Sequence, residues 1–314
     1  MSRFALVFPG QGSQVVGMAR ALVEAFPAAR EAMAEADDIL RFHLSRLCFE
    51  GPTEKLTDTV NAQPAILAAS VATLRAIWDA FPRLKKPIAV AGHSLGEYTA
   101  LVAAGTLSYP DALRLVRERG RLMKEAGERR PGGMAAIISL NEEQVAQLCK
   151  QASQETGAIV QVANINSPGQ IVISGEHPAL ERAMELAKAL GARRVVRLAV
   201  SIAAHSVLMA PAAEALQKVV RIVEMRPAVP ELIANVTAAP ISAVEAVREE
   251  LVSQLTGPVR WTASVQNMIR QGVDTFIEVG PGHVLSGLIR RIDRNVRTIS
   301  INEPKDIEAL ESLA

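Results

Sequence analysis

Short, unbroken apolar runs alternate with longer stretches of helical spacing along almost the whole chain. Phe-Ala-Leu-Val-Phe at 4–8 and Ile-Ala-Val-Ala at 88–91 contain no polar residue and end at proline or glycine turns. Such runs predict strands buried on both faces, as in a parallel sheet. Runs at 232–235, 275–279 and 297–301 predict three more. Helical spacing covers 15–26, 28–40, 63–81, 207–223 and 241–254, and resumes from 283. Asn61-Ala-Gln-Pro64 reads as a turn with Pro64 close to a helix start. Ser108-Tyr-Pro-Asp111 combines a cap, a first-turn proline and an acid three residues on, which opens another helix.

Residues 128–200 keep a different rhythm. A strand at 134–140 is followed by a helix at 141–156 and by strands at 158–164 and 170–174, joined at Asn166-Ser-Pro-Gly169. A helix at 178–190 ends at Gly191, and 194–200 returns as a strand. The order βαββαβ is that of a ferredoxin-like unit. The expected architecture is therefore α/β. Residues 1–127 and 201–314 form a large α/β-hydrolase-like domain with a parallel-sheet core, and 128–200 are an inserted ferredoxin-like (βαββαβ) subdomain. The cleft between the two is the natural place for a substrate.

Composition narrows the class. With 49% hydrophobic and 21% charged residues, 314 residues bury a substantial core and disorder is excluded. A net charge of +1 offers no global attraction for nucleic acid. Cys48 and Cys149 lie far apart without metal-ligand spacing, so each reads as filling space. The opening at 1–8 is too short for a secretory leader, and no apolar run reaches membrane-spanning length. The expectation is a cytoplasmic, soluble protein.

The chemistry concentrates at 88–104, where Gly92-His93-Ser94-Leu95-Gly96 separates a strand from a helix-forming run. Glycines on both sides allow a strained turn that exposes the Ser94 hydroxyl, the nucleophile-elbow pattern. The Leu95 N–H, in the first turn of the helix, is free to meet an oxyanion. A tight turn carrying an incidental serine is the competing reading. Gln11, in Pro9-Gly-Gln-Gly-Ser13, follows the first strand and can bring its own N–H to the same sheet edge; a plain turn is again the alternative. In the helix after Ser108, Arg119 falls inside the apolar stripe of Leu115, Val116, Leu122 and Met123. A guanidinium there demands an anion, either a substrate's or a protein carboxylate in a structural ion pair. Of five histidines, His43 and His177 sit in polar surroundings, and His93 adjoins Ser94 in sequence and points away from it. His205, among small residues before a helix, and His283, after a strand at the sheet edge, remain as bases.

Taken together, Pro9-Gly-Gln-Gly-Ser13, Gly92-His-Ser-Leu-Gly-Glu97, Arg119-Gly120, Asn166-Ser-Pro-Gly169, His205, Gln254 and Gly280-Pro-Gly282 resemble the malonyl-CoA:acyl carrier protein transacylases over essentially the whole chain. Polyketide-synthase acyltransferases share these motifs. The resemblance implies that Ser94 takes the malonyl group as an ester, that His205 is the general base and that Arg119 pairs with the malonyl carboxylate. It also implies that the Gln11 and Leu95 amides form the oxyanion hole and that the Gln254 main-chain carbonyl orients the histidine. Gln63, His93, Asn166 and Ala204 are further pocket candidates. Malonyl-CoA and acyl carrier protein are the implied partners, with no metal or bound cofactor, no nucleic acid and no membrane; the chain is expected to be a monomer. Arg193, Arg194 and Arg197 are candidates for meeting the acidic carrier. One position departs from the pattern: Ala204 stands where many malonyl-selective relatives carry a bulky aromatic, which leaves room for methylmalonyl. Three rivals remain: a serine esterase or thioesterase using Ser94, Asp274 and His283, a non-catalytic carrier-binding scaffold, and a trans-acting polyketide acyltransferase.

Overall fold

The computed structural model describes residues 3–313. The leader reading at 1–8 and the outer domain limits at 1 and 314 extend to residues outside them. Among the described residues ten strands form two sheets. Strands β1 (Phe4–Phe8) and β2 (Ala89–Gly92) are buried along their whole length. After them come β3 (Gly132–Ile138), β4 (Val160–Ser167), β5 (Gln170–Glu176) and β6 (Arg194–Arg197). The chain then forms β7 (Glu231–Ile233), β8 (Pro240–Ile241), β9 (Thr275–Val279) and β10 (Arg297–Ile301).

The first sheet has the order β10-β9-β1-β2-β7-β8. It is parallel except for the edge pair β7–β8. Its strands alternate between two cores. Leu6, Phe8, Val90, Leu232 and Ile277 face one side with the long helices Thr59–Ala80 and Tyr109–Arg129. Ala5, Val7, Ala89, Ala91 and Phe276 face the other, against Trp261, Val265, Leu285 and Ile289. Burial from both sides is what makes the strand sequences continuously apolar. The second sheet, β4-β5-β3-β6, is antiparallel throughout and carries the helices Glu142–Thr156 and His177–Ala189 over its own core. This is the ferredoxin-like order of the α/β expectation. Strand β4 also reaches the first unit through a bridge from Asn164 to Val259.

Some elements differ from the periodicity. Pro64 lies inside the helix Thr59–Ala80, whose start is capped by the Asp58 side chain on the Val60 N–H (3.1 Å). Proline there forfeits one backbone bond, but the helix is buried on nearly every side and burial outweighs that loss. The helical spacing at 15–26 yields only the helix Arg20–Ala25, because Gly17 and Ala19 adopt positive φ and break the preceding turns. Helices Leu44–Glu50 and Thr53–Thr57 were not expected, being too short for a periodic signal. Ile241 belongs to β8, and the helix predicted from it spans Val244–Ser253. Among the described residues no helix is long and apolar enough to cross a membrane, and no group of three or more acidic, His or Cys side chains could hold a metal.

Candidate active site

β1 and β2 pair in parallel with Phe8 opposite Gly92, so the loops that follow them leave the same carboxyl edge side by side. A Cβ on Gly92 would lie 1.9 Å from the Gly96 carbonyl carbon, and one on Gly96 would lie 2.1 Å from the Phe8 oxygen. Glycine is therefore the only residue that lets the elbow close. Ser94 sits at its apex with φ +51°, a strained conformation for a serine. The helix Gly96–Ala103 begins there and directs its positive end toward the hydroxyl. Gly10 presses on the His93 carbonyl, which sets the Gln11 loop against the elbow. Among the described residues no protein acceptor takes the backbone N–H of Gln11 or of Leu95.

His205, itself at φ +57°, brings Nε2 to 2.8 Å from Ser94 Oγ. Its Nδ1 lies 2.8 Å from the Gln254 carbonyl oxygen. A carbonyl can only accept, so Nδ1 carries the proton and Nε2 is left to accept from the serine. Gln254 caps the helix Val244–Ser253, where carbonyls lack intrahelical donors and carry partial negative charge. That is how a main-chain oxygen holds the histidine without an acid. Burial, and after it the Arg119 cation, lower the His205 imidazole to about 3, so it is neutral near pH 7.

Arg119 is 1% exposed. Its Nη2 reaches Ser94 Oγ (3.2 Å) and Gln254 Oε1 (2.8 Å), and its Nη1 reaches Gln63 Oε1 (2.8 Å). The ring of Tyr98 lies below it at 5.6 Å, and among the described residues the Arg119 Nε–H has no partner. The guanidinium is thus held by neutral amide oxygens and aimed at the hydroxyl, with a donor to spare. Gln63 is itself fixed by Thr59, whose hydroxyl also donates to Gln11 Oε1 (3.0 Å). His93 turns away from Ser94, meeting Asn166 Oδ1 at 2.8 Å beside Trp261. Ala204 is buried next to His205. The structure thus brings Gln11, Gln63, Ser94, Leu95, Arg119, Ala204, His205 and Gln254 together, with His93 and Asn166 on one flank.

Among the described residues neither the rival base nor the rival acid hydrogen-bonds to the Ser94 hydroxyl. His283 is exposed, just ahead of the helix Val284–Ile292. Asp274 precedes β9 at the amino edge of the sheet, bound to the Arg3 N–H and the Thr275 hydroxyl, opposite to the edge that bears Ser94. His43 and His177 are exposed, as expected from their polar surroundings. Arg193 and Arg194 are exposed, while Arg197 contacts Glu181 and His177.

Several supporting residues escaped the sequence reading. Asn235, at the end of β7, accepts the Ser94 N–H (2.8 Å) and donates to the Gly92 carbonyl (2.8 Å). Gln161 on β4 donates to the carbonyls of His205 (3.4 Å) and Thr256 (3.3 Å), bracing the histidine loop from the second sheet. Glu97 lies buried behind the elbow. Burial, and then Glu250, raise its carboxyl well above the usual range, while N–H donors from Asn235 and Gln254 oppose that shift. Only Glu97 carried a signal, as an acid beside a nucleophile motif.

A serine activated by a neutral histidine, two free amides at a sheet edge and a buried cation form a site for acyl transfer. Comparison with known proteins agrees. The profile of the family described as "Acyl transferase domain" matches residues 5–303. The malonyl CoA-acyl carrier protein transacylase of Bacillus subtilis is 46% identical over 314 residues, covering 100% of this chain and 98% of the relative. That of Escherichia coli K12 is 45% identical over 310 residues, covering 98% and 99%. Among solved structures, an acyl-carrier-protein-S-malonyltransferase from Bartonella henselae superposes with a TM-score of 0.95 at 45% identity, covering 100% of this chain and 99% of that one. A malonyl-transacylase in holo complex with its type II PKS acyl-carrier protein superposes with a TM-score of 0.94 at 45% identity, covering 99% and 100%. With motif, geometry and full-length likeness in agreement, the chain belongs to the acyl transferase domain family.

Proposed function

We propose that this chain transfers malonyl from malonyl-CoA to the phosphopantetheine thiol of acyl carrier protein, supplying fatty-acid chain extension through an ester on Ser94. The observation that carries this reading is the contact of one serine hydroxyl with both a neutral histidine and a buried guanidinium. His205 Nε2 takes the Ser94 proton as Oγ attacks the thioester carbon, and the Gln11 and Leu95 amides receive the oxyanion. A donor of that kind contributes ~3 kcal/mol. The tetrahedral species expels the coenzyme A thiolate, which takes the proton from His205. In the second half His205 accepts the carrier thiol proton, the thiolate attacks the ester, and Ser94 leaves and is reprotonated. Arg119 grips the free carboxylate of malonyl, orienting the acyl group and favouring it over acetyl.

Every proton has a carrier in His205 and the acyl carbon keeps its oxidation state, so the balanced reaction calls for no metal or organic cofactor. Gln63, His93, Asn166 and Ala204 would line the acyl and pantetheine path. Arg193 and Arg194 would meet the acidic carrier. Residues 128–200 would act as a substrate-binding insert in a cytoplasmic monomer. The absence of an aromatic at Ala204 supports a wider pocket that also admits methylmalonyl. The test is an acyl-transfer assay with malonyl-, methylmalonyl- and acetyl-CoA, and with fatty-acid and polyketide carriers. Malonyl ester on Ser94 and transfer to the fatty-acid carrier are expected. Release of free acid without a carrier would point to the esterase, no adduct on Ser94 to the scaffold, and transfer to the polyketide carrier alone to the trans-acting acyltransferase.

A further inference from the structure

Behind the elbow, Glu97 takes no part in the transfer steps, yet its buried carboxyl receives three N–H donors. Its Oε1 accepts from the Asn235 backbone N–H and from Asn235 Nδ2, both at 2.9 Å, and its Oε2 accepts a short bond from Gln254 Nε2. The far side of each amide ends on the reacting groups. Asn235 Oδ1 holds the Ser94 N–H, and Gln254 Oε1 holds Arg119 Nη2. Gln254 Nε2 also donates to the Ser94 carbonyl (3.0 Å).

A primary amide is nearly symmetric in shape but opposite in polarity at its two ends, so packing alone does not choose its orientation. The choice matters here. Turned over, Gln254 would present NH2 to the Arg119 cation, and Asn235 would present NH2 to the Ser94 N–H. We propose that Glu97 is the positioning residue that, together with the Gly92 and Ser94 carbonyls, sets both amides: by accepting from their nitrogens it turns one oxygen to the elbow and the other to Arg119. Glu250 extends this arrangement by accepting the Val236 N–H (2.9 Å) and fixing the next peptide.

This inference rests on the malonyl-transfer reading, and its test separates the two. Wild type, Glu97→Gln, Gln254→Met and the double variant are compared for melting temperature and for the rate of Ser94 acylation by malonyl-CoA and by acetyl-CoA, followed by intact mass. Glu97→Gln keeps the volume but puts an NH2 where an acceptor stood. It is expected to fold, to lose malonyl acylation by about 100-fold, as small misplacements of reacting groups do, and to lower the malonyl-to-acetyl ratio at least about tenfold, because Arg119 is displaced. Gln254→Met, which keeps the main-chain carbonyl for His205, should lower the ratio similarly, and the double variant should add little. An unchanged ratio in Glu97→Gln, or equal loss with both donors, overturns the proposal. Should that variant fail to fold, an unchanged ratio in Gln254→Met overturns it. Wild type that takes neither acyl group overturns the transfer reading itself.

Discussion

The Arg119 guanidinium stands 3.2 Å from the Ser94 hydroxyl and is steadied there by the amide oxygens of Gln63 and Gln254. A buried cation held this way keeps its charge available, because amides solvate it without neutralising it. On the proposed reading a carboxylated substrate would complete the pair, whereas an internal acid would already have done so.

Arg119→Ala is therefore expected to lower malonyl transfer by about 100-fold or more, the scale for breaking a buried charged pair. Acetyl transfer should hold or rise. Steady-state kcat/KM with both donors measures this, and an equal fall for the two would remove Arg119 from substrate selection.

His205→Ala should slow Ser94 acylation by about 10²- to 10⁴-fold, the usual contribution of a general base. His283→Ala should leave it unchanged, since that side chain is exposed ahead of its helix. Single-turnover acylation distinguishes them, and the reverse pattern would exchange their roles.

The low His205 value has a definite sign. Its folded pKa of about 3 lies below the unfolded value of ~6.5. Between the two, the unfolded chain binds a proton that the fold refuses. Stability from this residue is fully present above ~6.5 and declines as pH falls toward about 3. Melting temperature should drop from pH 7 to pH 4. Arg119→Ala removes one cause of the depression, so the drop should shrink and the acid limb of acylation should move upward. An acid limb near 6.5 in wild type would contradict the neutral, buried histidine.

Gly92→Ala places a methyl group 1.9 Å from the Gly96 carbonyl carbon, against backbone that cannot yield. It should destabilise by more than about 4 kcal/mol, in the range reserved for steric conflict in a core. Urea denaturation reads this directly, and a change under about 1 kcal/mol would show that the elbow can relax.

Ala204→Phe should restrict the pocket beside His205. It should reduce methylmalonyl transfer more than malonyl transfer, and the ratio of the two kcat/KM values measures it.

Much was legible from local pattern. Unbroken apolar runs announced β1 and β2 because a strand covered on both faces has no polar side to show. Glycines around Ser94 announced the elbow because Gly92 must admit the backbone of Gly96 within five residues, although what Gly96 must admit is Phe8 on the neighbouring strand. Arg119 stood out as a cation on an apolar stripe, although its partners Gln63 and Gln254 lie 56 and 135 residues away. The sequence by itself could not choose between His205 and His283 from the residues alone, nor give Asn235, Gln161 or Glu97 their places. Those assignments follow from parallel pairing, which carries the ends of β1, β2 and β7 to one edge, and from the cap of a distant helix meeting a histidine loop. Local sterics and burial are written residue by residue, whereas a hydrogen bond between segments over a hundred positions apart exists only once the sheet has set their distance.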